Sequence, residues 1–282
     1  MNVAQILDDA TAQIAAALGL DKRVARLEAR VLASFGWAVE TAWLIAHDTD
    51  ALSDTQITTF QSLLSRRLEG QPIAYLVGTR EFYGRPFLVT PDVLIPRPDT
   101  ELLVELALEH IPPDRAMDIL DLGTGSGCIA ITLALERPSA RITASDRSTA
   151  ALDVAHRNAE HLGARVEFMT SNWFAAFSGR KFDLIVSNPP YVAAADPHLT
   201  RGDVRFEPLS ALTAGQDGLD DLRQLTRSAR EHLQADGTLL LEHGYDQAEA
   251  VQDLLQTHGI NAARGWADLA GVSRVSGGKL SK

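Results

Sequence analysis

The chain has 282 residues, room for one large domain and a smaller companion. Its 26 Lys and Arg against 37 Asp and Glu leave a net charge of −11, which argues against a protein that wraps duplex DNA by neutralising phosphates. A single cysteine, Cys128, excludes an internal disulfide framework and a multi-cysteine zinc site, and no two histidines stand at the i, i+4 spacing of a zinc helix.

From the N-terminus, MNVAQILDDATAQ is acidic where an export signal would be basic, and no apolar run is long enough to cross a bilayer. A cytoplasmic protein without a membrane partner is expected. Residues 1–73 read as a helical bundle. Val3, Ile6, Leu7, Ala10, Ile14, Ala17 and Leu18 recur at helical spacing up to Gly19. A second helix after Asp21 is expected to bury Val24, Leu27, Val31, Leu32 and Phe35. A short third covers Ala42 to Ala46. Ser53-Asp54-Thr55-Gln56 has capping-box spacing and opens a fourth, which buries Ile57, Phe60, Leu63, Leu64 and Leu68.

Residues 74–100 change character. Two short strands flank a turn at Gly84, and a proline-stiffened connection, Ile95-Pro96-Arg97-Pro98-Asp99-Thr100-Glu101, leads into a helix capped by Asp99 or Thr100. This stretch reads as the joint between two domains. Over 101–282, strands are expected at 116–122, 140–145, 165–169, 182–187, 238–242 and 272–276, with helical patterns between most of them. That alternation predicts a doubly wound, Rossmann-like α/β domain with a mostly parallel sheet. Ser276-Gly277-Gly278-Lys279 reads as a flexible tail; it lacks the spacing of a phosphate-binding loop.

Ligands of open α/β sheets sit beyond the carboxyl ends of the strands, and four motifs fall there. Asp121-Leu122 leads into Gly123-Thr124-Gly125-Ser126-Gly127, whose tight G-x-G-x-G spacing differs from a dinucleotide fingerprint and resembles the S-adenosylmethionine loop of class I methyltransferases. Asp146 lies where an acid can accept from ribose hydroxyls, although it could equally cap the following helix in competition with Ser148. Asn172-Trp173 offers a polar edge and a flat face, as an adenine ring needs; the alternative is a Trp plugging the core edge beside Phe174. Asn188-Pro189-Pro190-Tyr191 closes the fourth strand. Prolines without N–H leave carbonyl oxygens without matching donors beside the Asn188 amide, a stiff cradle for a planar group that carries N–H.

With these strings in place, the chain resembles the N(5)-glutamine methyltransferases of peptide chain release factors nearly end to end. The likeness extends to Ile95–Glu101, to Asp203-Val204-Arg205-Phe206-Glu207-Pro208 and to Glu242-His243-Gly244. The resemblance implies a class I S-adenosylmethionine-dependent methyltransferase fold, with a mostly parallel seven-stranded sheet behind an N-terminal helical bundle that recognises the partner. It implies that Gly123, Thr124, Gly125, Ser126, Gly127, Asp146, Trp173 and Asn188 bind S-adenosyl-L-methionine. Catalysis and substrate binding would fall to Asn188, Pro189, Pro190 and Tyr191. The partner would be a class 1 release factor, modified by a monomeric enzyme. Asn172 departs from the acidic residue usual in that family, but its oxygen can still accept from an adenine amine. Two other readings use the same corner. A ribosomal protein could supply the glutamine, or a nucleic acid an adenine N6 amine; the latter calls for a basic surface that this acidic chain does not advertise.

Overall fold

The computed structural model describes residues 1–280, and its contacts divide the chain into two units. The smaller contains Met1–Thr79 together with His198–Phe206; the larger contains Arg80–Pro197 and the chain from Glu207 onward. The joint expected over 74–100 is therefore not a separate piece, since the break falls after Thr79 and a downstream segment joins the first unit.

In the smaller unit, α1 (Val3–Leu18), α2 (Lys22–Trp37), α3 (Thr41–Ala46), α4 (Asp54–Leu68) and α5 (Ile73–Val77) pack around one apolar cluster. Their ends obey local chemistry. Asn2 with Gln5 and Ser53 with Gln56 form reciprocal capping boxes, and Gly19 stops α1 in the left-handed conformation. The buried face of α2 differs from expectation: Ala25, Ala29, Leu32 and Ala33 face inward. Val24, Leu27 and Phe35 are exposed. Small residues let α2 approach its neighbours closely, and the larger side chains on the other face keep the same helical period. Arg67, on the inner side of α4, is 3% exposed. It donates to Glu28 Oε2 (2.8 Å) and Oε1 (3.0 Å), to Asp203 Oδ1 (2.8 Å) and to the Gln71 carbonyl (2.9 Å).

The larger unit opens with the hairpin of β1 (Thr79–Phe82) and β2 (Arg85–Leu88), followed by α6 (Thr100–His110). Next come β3 (Asp118–Leu122), α7 (Cys128–Glu136), β4 (Arg141–Asp146), α8 (Thr149–Leu162), β5 (Val166–Thr170) and β6 (Phe182–Ser187). After short 3-10 turns the chain continues as α9 (Asp220–His232), β7 (Leu233–Glu242), α10 (Ala248–Thr257), β8 (Ile260–Ala267) and β9 (Ser273–Leu280). The strands form one seven-stranded sheet in the order β5-β4-β3-β6-β7-β9-β8. The first five run parallel, and β9 lies antiparallel to both neighbours. Order reverses between β3 and β6, the crevice where a doubly wound sheet takes its ligand. Apolar layers cover both faces, one around Leu103, Ile119 and Ile131, the other around Leu120, Ile185 and Leu225.

Two expectations are corrected at the far edge. The presumed flexible tail is the body of β9: a Cβ on Gly277 would lie 2.4 Å from the Leu239 carbonyl oxygen, and one on Gly278 2.7 Å from that of Asn261. These glycines are small so that strands can close on them. The edge strand β8 went unforeseen because a register shift between Asn261 and Arg264 breaks its alternation.

Candidate active site

The glycine loop leaves β3 at Leu122 and doubles back onto β4, where the Gly123 and Thr124 N–H groups donate to the Ser145 carbonyl (2.8 and 2.9 Å). Asp121 anchors the loop from below. Its Oδ2 accepts from Thr124 Oγ1 at 2.6 Å, while Oδ1 is buried without a partner. Burial pushes this carboxyl up to about 7. Gly127 serves the fold: it is the N-cap of α7 with φ +83°, and a Cβ there would meet Ile131 Cδ1 at 2.8 Å. Asp146 spans the gap between loop and next helix. One oxygen accepts from Gly125 N (3.0 Å) and the other from Ser148 N (2.9 Å). Ser148, not Asp146, caps α8, accepting from Ala151 N at 3.1 Å.

These elements border a cleft of about 910 Å³, its open mouth included. Gly123, Thr124, Gly125, Ser126, Asp146, Trp173, Asn188 and Pro190 all line it; Gly127, Pro189 and Tyr191 do not. Trp173 holds φ +49°, and its indole N–H donates to Asp221 Oδ1 at 3.2 Å. The ring faces the glycine loop closely enough that a Cβ on Gly123 would lie 3.2 Å from it. Trp173 thus packs against the core and also lines the cleft. Asn172 lines the same wall.

The proline corner is held from three sides. Ser187 Oγ donates to the Leu122 carbonyl (2.7 Å), tying the end of β6 to that of β3. Gln247 Nε2 donates to the Tyr191 carbonyl (3.0 Å). Asn188 Nδ2 donates to Thr100 Oγ1 (3.2 Å). Tyr191 turns its hydroxyl inward to Glu242 Oε1 at 3.4 Å, and burial pushes that phenol well above its ordinary value. Pro189 and Pro190 are both buried.

Pro96, Arg97 and Thr100 also line the cleft, which sequence reasoning treated as connection and cap. The cap expectation holds in position only. Asp99 holds the N-cap position of α6 without a side-chain capping bond and pairs instead with Arg274 (3.1 Å). The Ile95 N–H donates to Glu207 Oε2 (3.0 Å), and Arg97 forms an ion pair with the fully buried carboxylate of the same residue. Glu101 accepts from Tyr83 N at 2.8 Å. The string Ile95–Glu101 is therefore a clamp inside the larger unit. Its signal in the sequence was the alternation of proline with charge, which fits a fixed backbone presenting several polar contacts.

A glycine crossover at the switch point, an acid ending the adjacent strand, an indole beyond the next and an Asn-Pro-Pro-Tyr corner on the fourth define a Rossmann-like methyltransferase. The family described as Methyltransferase small domain matches residues 99–202, and the PrmC N-terminal domain matches residues 5–78. A solved methyltransferase from Pyrococcus furiosus shares the fold at 17% identity, with a TM-score of 0.55 over 79% of this chain and 100% of that one. The release factor glutamine methyltransferase of Bordetella pertussis is 50% identical over 92% of this chain and 97% of its own length. That of Burkholderia pseudomallei is 48% identical over 90% and 92% respectively. The chain belongs to the release factor glutamine methyltransferase family.

Proposed function

We infer that this enzyme transfers a methyl group from S-adenosyl-L-methionine to the side-chain amide nitrogen of the glutamine in the Gly-Gly-Gln motif of class 1 peptide chain release factors. The observation that carries the reading is the setting of Asn188. Its Nδ2 is engaged by Thr100, so the other end of the amide is left to accept, and it lines the same cleft as the glycine loop.

The cleft suits an adenosyl cofactor. Its walls pair an indole face with a carboxylate. In this reading Gly123, Thr124, Gly125 and Ser126 hold the cofactor, Asp146 accepts from its ribose hydroxyls, and Trp173 with Asn172 receives the adenine. Gly127 supports that cradle by shaping the helix start. When bound, the cofactor supplies a methyl already activated by its sulfonium.

The chain's own residues then deal with a weak nucleophile, since the glutamine nitrogen shares its lone pair with the carbonyl. Asn188 Oδ1 and the Pro189 carbonyl accept the two amide N–H bonds, which orients the nitrogen and favours the positive charge that grows on it. Pro190 stiffens the corner, and Tyr191, its hydroxyl anchored on Glu242, braces the corner from behind. Once the nitrogen carried the methyl, its surplus proton would leave to water.

The helical unit, residues 1–73 in the sequence reading, is assigned to docking the release factor. The enzyme is read as a cytoplasmic monomer with no direct contact to DNA; no helix among the described residues is long and apolar enough to cross a membrane. Mass spectrometry of a release factor incubated with enzyme and cofactor tests the whole reading. One added methyl on the Gly-Gly-Gln glutamine is expected, and Asn188→Ala should cut its formation about 100-fold or more, a far larger loss than that in cofactor affinity. An unmodified glutamine with the wild-type enzyme would sink it.

A further inference from the structure

We propose that Leu209, Tyr245 and Leu269 form an apolar docking rim on the larger unit, against which the release factor seats the surface that flanks its target glutamine. The inference rests on the reading of the substrate as a glutamine carried by a folded protein.

Among the described residues, the larger unit leaves only these three large apolar side chains in solvent, Leu209 at 61%, Tyr245 at 72% and Leu269 fully exposed. Exposed leucines scattered singly need no explanation. These are not scattered. Leu209 lies in the connection that leaves the carboxyl end of β6, and Tyr245 follows the carboxyl end of β7. Leu269 follows that of β8, which runs parallel to β7 because both lie antiparallel to β9. All of them therefore belong to the end of the sheet that holds the cleft, and the connections at the opposite end expose none.

Each occupies the same local position, the second residue of a four-residue turn closed by a backbone hydrogen bond. Ala211 N donates to the Pro208 carbonyl (2.8 Å), Gln247 N to that of Gly244 (3.1 Å) and Gly271 N to that of Asp268 (2.9 Å). Each turn is also fixed to the site. Pro208, Ser210 and Ala211 line the cleft, and Glu207 before them accepts from Ile95 N at 3.0 Å. Gln247 Nε2 holds the Tyr191 carbonyl (3.0 Å), while its Oε1 accepts from Gly244 N (2.8 Å). Asp268 Oδ1 accepts from the Ala270 and Val272 N–H groups, both at 2.9 Å. Arg274 pairs with Asp268 (3.2 Å) and with Asp99 (3.1 Å), the neighbour of the cleft-lining Thr100.

Removing apolar area from water drives association, and anchors held on stiff turns lose little freedom when a partner covers them. The occupant follows from where they stand. Leu209 lies between two residues of the cleft wall, so a folded protein that carries its glutamine into the cleft brings surface onto the rim. A free glutamine side chain would need none of it.

The test uses the full-length enzyme with a release factor at saturating S-adenosyl-L-methionine. L209S/Y245S/L269S should raise KM for the release factor about tenfold or more, with kcat within about threefold of wild type, the pattern of lost uniform binding. Calorimetric titration with S-adenosyl-L-methionine should give a Kd within about twofold of wild type, which reports an intact cleft. L209M/Y245F/L269M keeps the apolar surface and should hold KM within about threefold of wild type. An unchanged KM in the serine variant, equal damage from both triple variants, or a loss carried by kcat or cofactor affinity would each overturn the rim while leaving the methyl transfer in place. So would a dimer that the serine variant dissolves at unchanged KM, since that would give the rim to a second copy of the chain. A release factor left unmethylated by the wild-type enzyme would overturn the substrate reading itself.

Discussion

Glu242 closes β7 with its carboxyl group out of reach of solvent, and burial pushes it from 4.5 up to about 7, against the opposing pull of its hydrogen bond with Thr100. The sign of the consequence follows from proton counting. Between those two values the folded protein keeps a proton that the unfolded chain has released, so stability is fully present below 4.5 and is lost as pH climbs through 7. Asp121 lies in the same range, so the wild-type curve alone does not separate the two. Comparison with Glu242→Gln does. Between pH 5 and 8 the wild type should lose up to about 3 kcal/mol relative to that variant in urea titrations. Parallel curves would mean that Glu242 is ionised throughout. At this scale the sequence showed which residue types stand at strand ends, but not their partners. Thr100 looked like a helix cap because Thr before an apolar helical run usually is one. Its contact with Asn188 spans two elements, and nothing in local spacing encodes that.

Among the elements, α1 and α4 were legible nearly to the residue, because Gly19 and Ser53 act within a few positions of themselves, whereas the Asn2 cap went unread. The parallel strands were plain as short apolar runs, although β5 is only partly buried and β7 begins at Leu233, ahead of the expected 238. The failures share a cause: each depends on how closely a neighbour approaches. The inner face of α2 is lined by alanines, whose burial shows only when another helix is placed against them. The β9 glycines looked mobile because a glycine pair in isolation is mobile; in the sheet they sit under the Leu239 and Asn261 carbonyls. Gly277→Ala should therefore destabilise the protein by about 1–3 kcal/mol, the usual cost of overpacking against atoms that cannot move aside. Thermal unfolding checks this, and an unshifted Tm would show that β7 and β9 can part to admit a methyl.

At the scale of the whole molecule, the chain crosses between its two units at Thr79, again at Pro197 and once more at Phe206. The segment His198–Phe206 is fastened within the smaller unit by Arg67, through Asp203, and by Arg205, which donates to the Glu69 carbonyl at 2.6 Å. Removing the central cation leaves Glu28 and Asp203 without their counterion. Arg67→Met should cost about 3 kcal/mol, the lower end for a broken buried pair because Asp203 is partly solvated. It should also speed tryptic cleavage at Arg201 and Arg205. Digestion at the wild-type rate would show that the segment is held by other means.

That fastening bears on how such a protein can be dissected or recombined. A fragment ending at Thr79 would strand a guanidinium in an apolar interior with half its counter-charge missing. Grafting the leading helices of one homologue onto another would likewise succeed only if a short stretch encoded far downstream travelled with them. The folding unit and the gene segment do not coincide here, and exon-style shuffling would have to respect the former.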